Sequence, residues 1–143
     1  MKNLFKILIL SLLVFSCNKG KVINGVETLY YDDNSIKEVR TYIDGEIEDY
    51  KIFYKDGSLK QESVVIDSLK SKTMFYLENG IIWYEILFER SDPSIPRFES
   101  KMSKYKLFYE NGSIYLEGIS NERNNIKIIN SWDIDGEQTL ING

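Results

Sequence analysis

The most reactive side chain in this sequence is Cys17, which is the only cysteine, and histidine does not occur at all. Without histidine there is no Ser-His-Asp or Cys-His relay, and the usual zinc ligand sets cannot be assembled. No G-x-x-x-x-G-K-[ST] or G-x-G-x-x-G run is present to cradle a phosphate. What remains is 22 Asp and Glu residues. Two carboxylates at the right separation could hydrolyse a glycoside, such as an envelope polysaccharide. So many acids make some close pair inevitable, so a pair alone carries no activity. The clusters Asp32-Asp33 and Asp133-Ile134-Asp135 lack the spacing of a calcium loop. They fall at expected turns, where Asp is favoured because its side chain bonds the nearby backbone. The residue types therefore point to a protein that is not an enzyme and takes no cofactor or metal.

Cys17 has a context of its own. Met1, Lys2 and Lys6 precede an uncharged run over residues 7–15, which ends in Ser16-Cys17. A positive start and a short apolar run make a signal peptide, since a transmembrane helix needs about 20 apolar residues. The ending Val14-Phe15-Ser16-Cys17 resembles the lipobox of bacterial lipoproteins, with Phe15 an unusual second member. That resemblance implies that Cys17 receives diacylglycerol and becomes the first mature residue. The expectation is a leader over 1–16, a lipidated tether over 17–24 and one domain over 25–143. The address expected is the cell envelope, anchored to a membrane through Cys17, and to the outer membrane in a Gram-negative cell. Losing residues 1–16 removes Lys2 and Lys6 and moves the formal charge from −4 to −6. A chain so acidic, with no basic face, argues against a nucleic-acid partner.

The elements that fill the rest of the chain are strands. Alanine is absent, while Ile, Tyr, Phe and Val are frequent and interrupted by Asn-Gly and Asp-Gly. Self-comparison shows a period. Leu29-Tyr30-Tyr31-Asp32-Asp33-Asn34, Ile52-Phe53-Tyr54-Lys55-Asp56-Gly57, Phe75-Tyr76-Leu77-Glu78-Asn79-Gly80 and Leu107-Phe108-Tyr109-Glu110-Asn111-Gly112 align without gaps, with a weaker fifth copy at Ser131-Trp132-Asp133-Ile134-Asp135-Gly136. The turn residues Asn34, Gly57, Gly80, Gly112 and Gly136 are separated by steps of 23, 23, 32 and 24 residues. The long step contains Pro93 and Pro96, which places an insertion loop near 90–103. Asp44-Gly45 marks one return turn.

The pattern aromatic-Tyr-x-Asp/Asn-Gly-x-Leu/Ile at this interval resembles the variant MORN repeat of small bacterial proteins. It covers nearly all of the chain after the tether. In the linking stretch from Tyr42 to Tyr50, Asp49 stands where that family usually has a second glycine. The resemblance implies a scaffold of stacked β-hairpins used for contacts. The fold expected is all-β: a repeat-built antiparallel meander, as a single twisted or curled sheet. Some proteins of the family carry an antitoxin label, but a signal peptide separates this chain from a cytosolic toxin.

A two-residue turn at Asp56-Gly57 would pair Tyr54 with Leu59, Phe53 with Lys60, Ile52 with Gln61 and Lys51 with Glu62. One face would then carry Ile52, Tyr54 and Leu59 with their repeats, and form the core. The other would carry the ion pairs Lys51–Glu62 and Lys106–Glu117, with an aromatic in every unit at Tyr30, Phe53, Tyr76, Phe108 and Trp132. In that register Trp83 and Tyr115 are cross-strand neighbours of Tyr76 and Phe108. Tyr76, Trp83, Phe108, Tyr115 and Trp132 are therefore the candidate binding residues, for a protein or glycan of the envelope. The alternatives are stacking for stability alone, an immunity-type lipoprotein that neutralises an envelope toxin, and a carboxylate-based glycoside hydrolase.

Overall fold

The computed structural model describes residues 24–94, 102–121 and 126–141. The expected leader, Cys17, most of the tether and the middle of the insertion lie outside the described residues. The chain forms ten strands: β1 Gly25–Tyr30, β2 Ile36–Ile43, β3 Glu46–Phe53, β4 Leu59–Val65, β5 Lys70–Tyr76, β6 Ile82–Glu89, β7 Met102–Phe108, β8 Ile114–Asn121, β9 Ile126–Trp132 and β10 Gln138–Ile141. They make one sheet in sequence order, each strand antiparallel to the next, with β1 and β10 as open edges. The all-β meander of hairpins expected from the repeat is the fold observed.

Five turns join the strands at one end, and they share one geometry. In the second unit the Tyr54 amide donates to the Ser58 carbonyl at 2.8 Å, and the Gly57 amide to the Tyr54 carbonyl at 3.1 Å. Gly57 has φ of +88°. This is a three-residue loop, a type I turn followed by a left-handed residue. The same bonds recur at Tyr31, Leu77, Tyr109 and Asp133, with Asn34 at φ +65° in place of glycine in the first unit. The side chain before the left-handed residue accepts the amide two positions on, as from Ser58 to Asp56 at 2.8 Å and from Ser113 to Asn111 at 3.0 Å. At the opposite end the connections differ. Asp44 and Gly45, both at positive φ, make a two-residue turn, whereas residues 90–101 separate β6 from β7.

The three-residue loop changes the pairing near the turns. Ile52 pairs with Gln61, and Lys51 with Glu62, as the alternation predicts. The two outer pairs are corrected: Phe53 pairs with Leu59, and Lys60 is left as a bulge. Counting from a two-residue turn placed the bulge residue on the wrong face. The shift repeats in every unit, so Tyr30, Tyr76, Phe108 and Trp132 pair with Ile36, Ile82, Ile114 and Gln138. Lys37, Trp83, Tyr115 and Thr139 are skipped in the same way.

A single layer cannot bury large side chains on both faces, and the chain solves this by setting large residues opposite small ones. Tyr50 pairs with Ser63 and Ile86 with Thr73. Phe88 pairs with Ser71, and Tyr105 with Gly118. The small partners are the deeply buried ones, Ser63 and Ser71 at 2% exposure and Thr73 at 5%. Among the described residues Tyr105, at 8%, is the sole apolar or aromatic side chain in that class. Its ring lies over Gly118, where a β-carbon would collide with the phenol and sit 2.7 Å from the Lys127 carbonyl. The glycine is what lets the ring lie flat. Ser63 and Thr73 satisfy each other through a 2.8 Å hydroxyl contact.

Candidate interaction surface

The turn end is an aromatic rim, and each unit builds it from the same three positions. The first is the strand-ending aromatic, Tyr30, Phe53, Tyr76, Phe108 or Trp132. The second is the residue that opens the turn. The third is the bulge. Where the second is tyrosine, its hydroxyl reaches into the next unit: Tyr31 donates to the Phe53 carbonyl at 2.7 Å, Tyr54 to Tyr76 at 2.9 Å and Tyr109 to Trp132 at 3.0 Å. Leu77 holds that position in the third unit and has no hydroxyl to give.

The bulge residue then meets this ring. Lys37 and Lys60 place their ammonium groups 5.8 and 5.3 Å from the ring centres of Tyr31 and Tyr54, a cation–π distance. Lys55 from the next turn adds a second cation 5.8 Å from Tyr31. Tyr115 lies 5.1 Å from Tyr109. Trp83 stacks on its own sequence neighbour Tyr84 at 5.5 Å and sits 6.1 Å from Phe75. Adjacent residues in a regular strand point to opposite faces, so only the bulge allows that stack.

The structure therefore divides the five candidate residues. Tyr76, Phe108 and Trp132 are half-buried in the row that belongs to the charged face, and the Tyr76 hydroxyl donates to Glu62 at 3.3 Å. Trp83 and Tyr115, 39% and 44% exposed, do not pair with Tyr76 and Phe108. Trp83 joins the face of Phe75 and Tyr84, so the expected continuous platform is two aromatic rows on opposite faces of one rim. The charged face carries the expected pairs, Lys51 to Glu62 at 3.2 Å and Lys106 to Glu117 at 2.9 Å. Lys106 also holds the Glu117 carboxyl below its usual range, chiefly through that hydrogen bond.

Sequence alternation missed Tyr84 and Tyr105. Together with Trp83, Leu107, Ser120 and Ile126 they line an open hollow of about 410 Å³. Phe75 and Tyr84 stack at 5.5 Å, and Tyr84 and Tyr105 lie 6.4 Å apart. Burial pushes the Tyr84 and Tyr105 phenols above the usual tyrosine range. The signal that could have found this cluster is Gly118, a lone glycine inside a strand pattern, which marks close approach by a neighbour. The hollow is a stacking and hydrogen-bonding surface, and none of the described residues that line it is a carboxylate.

Compared with known proteins, the chain matches no family model, and no curated protein matches it.

Proposed function

We propose that this protein is a non-enzymatic, lipid-anchored module of the bacterial cell envelope that holds a protein or glycan partner on its aromatic rim. The observation that carries the reading is the rim itself. Five units present an aromatic at the same turn-proximal position, and Trp83 and Tyr115 add two exposed rings beside it. Amphipathic aromatics supply much of the energy at contacts, and exposed apolar stripes mark them. The Ser16-Cys17 ending and the leader before it support the anchor. Acyl chains bury about 0.8 kcal/mol per CH₂, and more than one chain holds stably. The repeat pattern, with its likeness to variant MORN units, supports a scaffold rather than a catalyst.

Two measurements test the reading. Cells fed labelled fatty acid should label the protein, and Cys17→Ser should lose both label and membrane retention. A Ser variant that stays with membranes through high salt and carbonate sinks the anchor. The wild-type chain should recover an envelope component that the Trp83→Ala, Tyr115→Ala double variant recovers at least about tenfold less. Equal recovery by a folded double variant removes the rim from the function.

A further inference from the structure

We infer that the face of the sheet opposite the ion pairs, from β3 to β9, packs on the same face of a second copy of this chain and closes two single layers into a β-sandwich. Three rows of paired residues cross this face. One runs from Ile52 through Phe75 to Ser131, one from Tyr50 through Thr73 to Ile128, and a shorter one from Val65 through Phe88 to Ile126. None of the residues in these rows is charged. The reverse face carries ion pairs, with Lys72 3.4 Å from Glu85 and Lys104 3.1 Å from Glu89. One face of the sheet is thus built for water and the other is not.

The size and relief of the uncharged face select the occupant. Seven strands about 4.8 Å apart and three alternate rows spanning about 20 Å give roughly 700 Å². A stable interface takes about 800 Å² from each partner. Large residues paired with small ones give the face both ridges and hollows. The two hollows, of about 480 and 410 Å³, lie on either side of the Phe75–Tyr84 stack. A two-fold axis brings one patch against itself, so the ridge of each copy can enter a hollow of the other at the usual sheet spacing of about 10 Å. The three rows bring no charged side chain into this contact, and Arg40, which lines the edge of the 480 Å³ hollow, enters it already paired with Glu38. Glu27, Glu38 and Arg40, joined through the Arg40 ion pairs on β1 and β2, bound the patch at its β3 edge, where the Arg40 guanidinium lies 5.6 Å from the Tyr50 ring centre.

The test is sedimentation of the full chain in density-matched detergent, at tens of micromolar. Wild type should run as a dimer, and Ile86→Lys, at the centre of the face, as a folded monomer by circular dichroism. Lys104→Glu, on the reverse face, should stay dimeric. If Ile86→Lys does not fold, Gln61→Lys on the outer row replaces it and should weaken dimerisation at least about tenfold. A monomeric wild type overturns the inference, as does a folded Ile86→Lys or Gln61→Lys chain that dimerises as wild type does. A monomer whose tryptophan emission responds to chito-oligosaccharide overturns it too, and gives the face to a glycan. Trp83 lines one of these hollows, so recovery of an envelope component is read separately with Tyr115→Ala alone, and either idea can fail without the other.

Discussion

Between the first and second units, Tyr31 crosses to the Phe53 carbonyl while Lys37 and Lys55 both approach its ring. Between the third and fourth, Leu77 stands in the tyrosine's place, Trp83 replaces the bulge lysine, and the rings of Phe75, Tyr84 and Tyr105 crowd the neighbouring strands. The turns are the same, but the bonding across the junctions is not. Where the repeat step is 23 or 24 residues, a polar staple ties one unit to the next. Where it lengthens to 32, ring packing takes over, and the extra chain is rooted at the other end of the sheet. There the Arg90 amide donates to the Leu69 carbonyl at 2.8 Å and its guanidinium reaches the carbonyls of Ser68 and Pro93. Identical turns set the strand register, and the side chains beside them decide how each junction is held.

The largest test of this contrast is Gly118→Ala. The added methyl has nowhere to go but into the Tyr105 phenol and the Lys127 backbone, so the change should cost about 2–3 kcal/mol. A urea melt reads the loss. Ser63→Ala, in the same row but in the stapled half, loses the hydroxyl contact to Thr73 and the long bond it accepts from Gln61 and should cost about 1 kcal/mol. Equal costs at the two sites would show that the ring packing of the second half is no tighter than the first.

Much of this arrangement could be read from residue order, and the part that could not has a specific cause. The pairs Ile52–Gln61 and Lys51–Glu62 follow from alternation and from charge. The pairs nearest the turn do not, because Asp-Gly suits both a two-residue loop and the three-residue loop found here. The one-residue difference moves Trp83 and Tyr115 to the other face, the sensitivity that a period of two imposes. Ser35, Ser58 and Ser113 after the left-handed residue were the available clue, since each bonds an Asp or Asn two positions back. The aromatic positions of the candidate surface were therefore legible, and their sharing of one face was not.

A smaller effect comes from the staples. Tyr54→Phe keeps the ring and the nearby Lys60 but deletes the bond to the Tyr76 carbonyl, at a cost of about 1 kcal/mol. Leu77→Tyr offers the missing hydroxyl to the fourth unit. If the third junction has the geometry of the others, thermal unfolding should shift upward. No shift would mean that the aromatic cluster has displaced the site the staple needs, which sharpens the contrast.

The smallest effect is confined to alkaline pH. Burial raises the Tyr105 phenol above the ordinary value of 10.0. Tyr84 is raised first by burial and then by Tyr105 beside it. In the stapled half, burial also raises Tyr50, with Glu38 adding to the shift and Arg40 opposing it. A folded-state pKa above the unfolded one means that the unfolded chain releases its proton first. The stabilisation is complete below pH 10 and is lost as pH rises through the folded value. Tyr105→Phe removes one such group and one cause of the shift at another. Its stability should therefore fall less steeply between pH 9 and 11 than wild type, by urea midpoints on this titration. Tyr50→Phe should flatten the fall as well, because burial and Glu38 together raise that phenol against the opposing Arg40. At neutral pH Tyr105→Phe should be close to silent, since its buried hydroxyl has no hydrogen-bond partner among the described residues. If Tyr105→Phe loses stability as steeply as wild type over this range, the Tyr105 ring is not buried in solution, and the contrast between the two junctions fails.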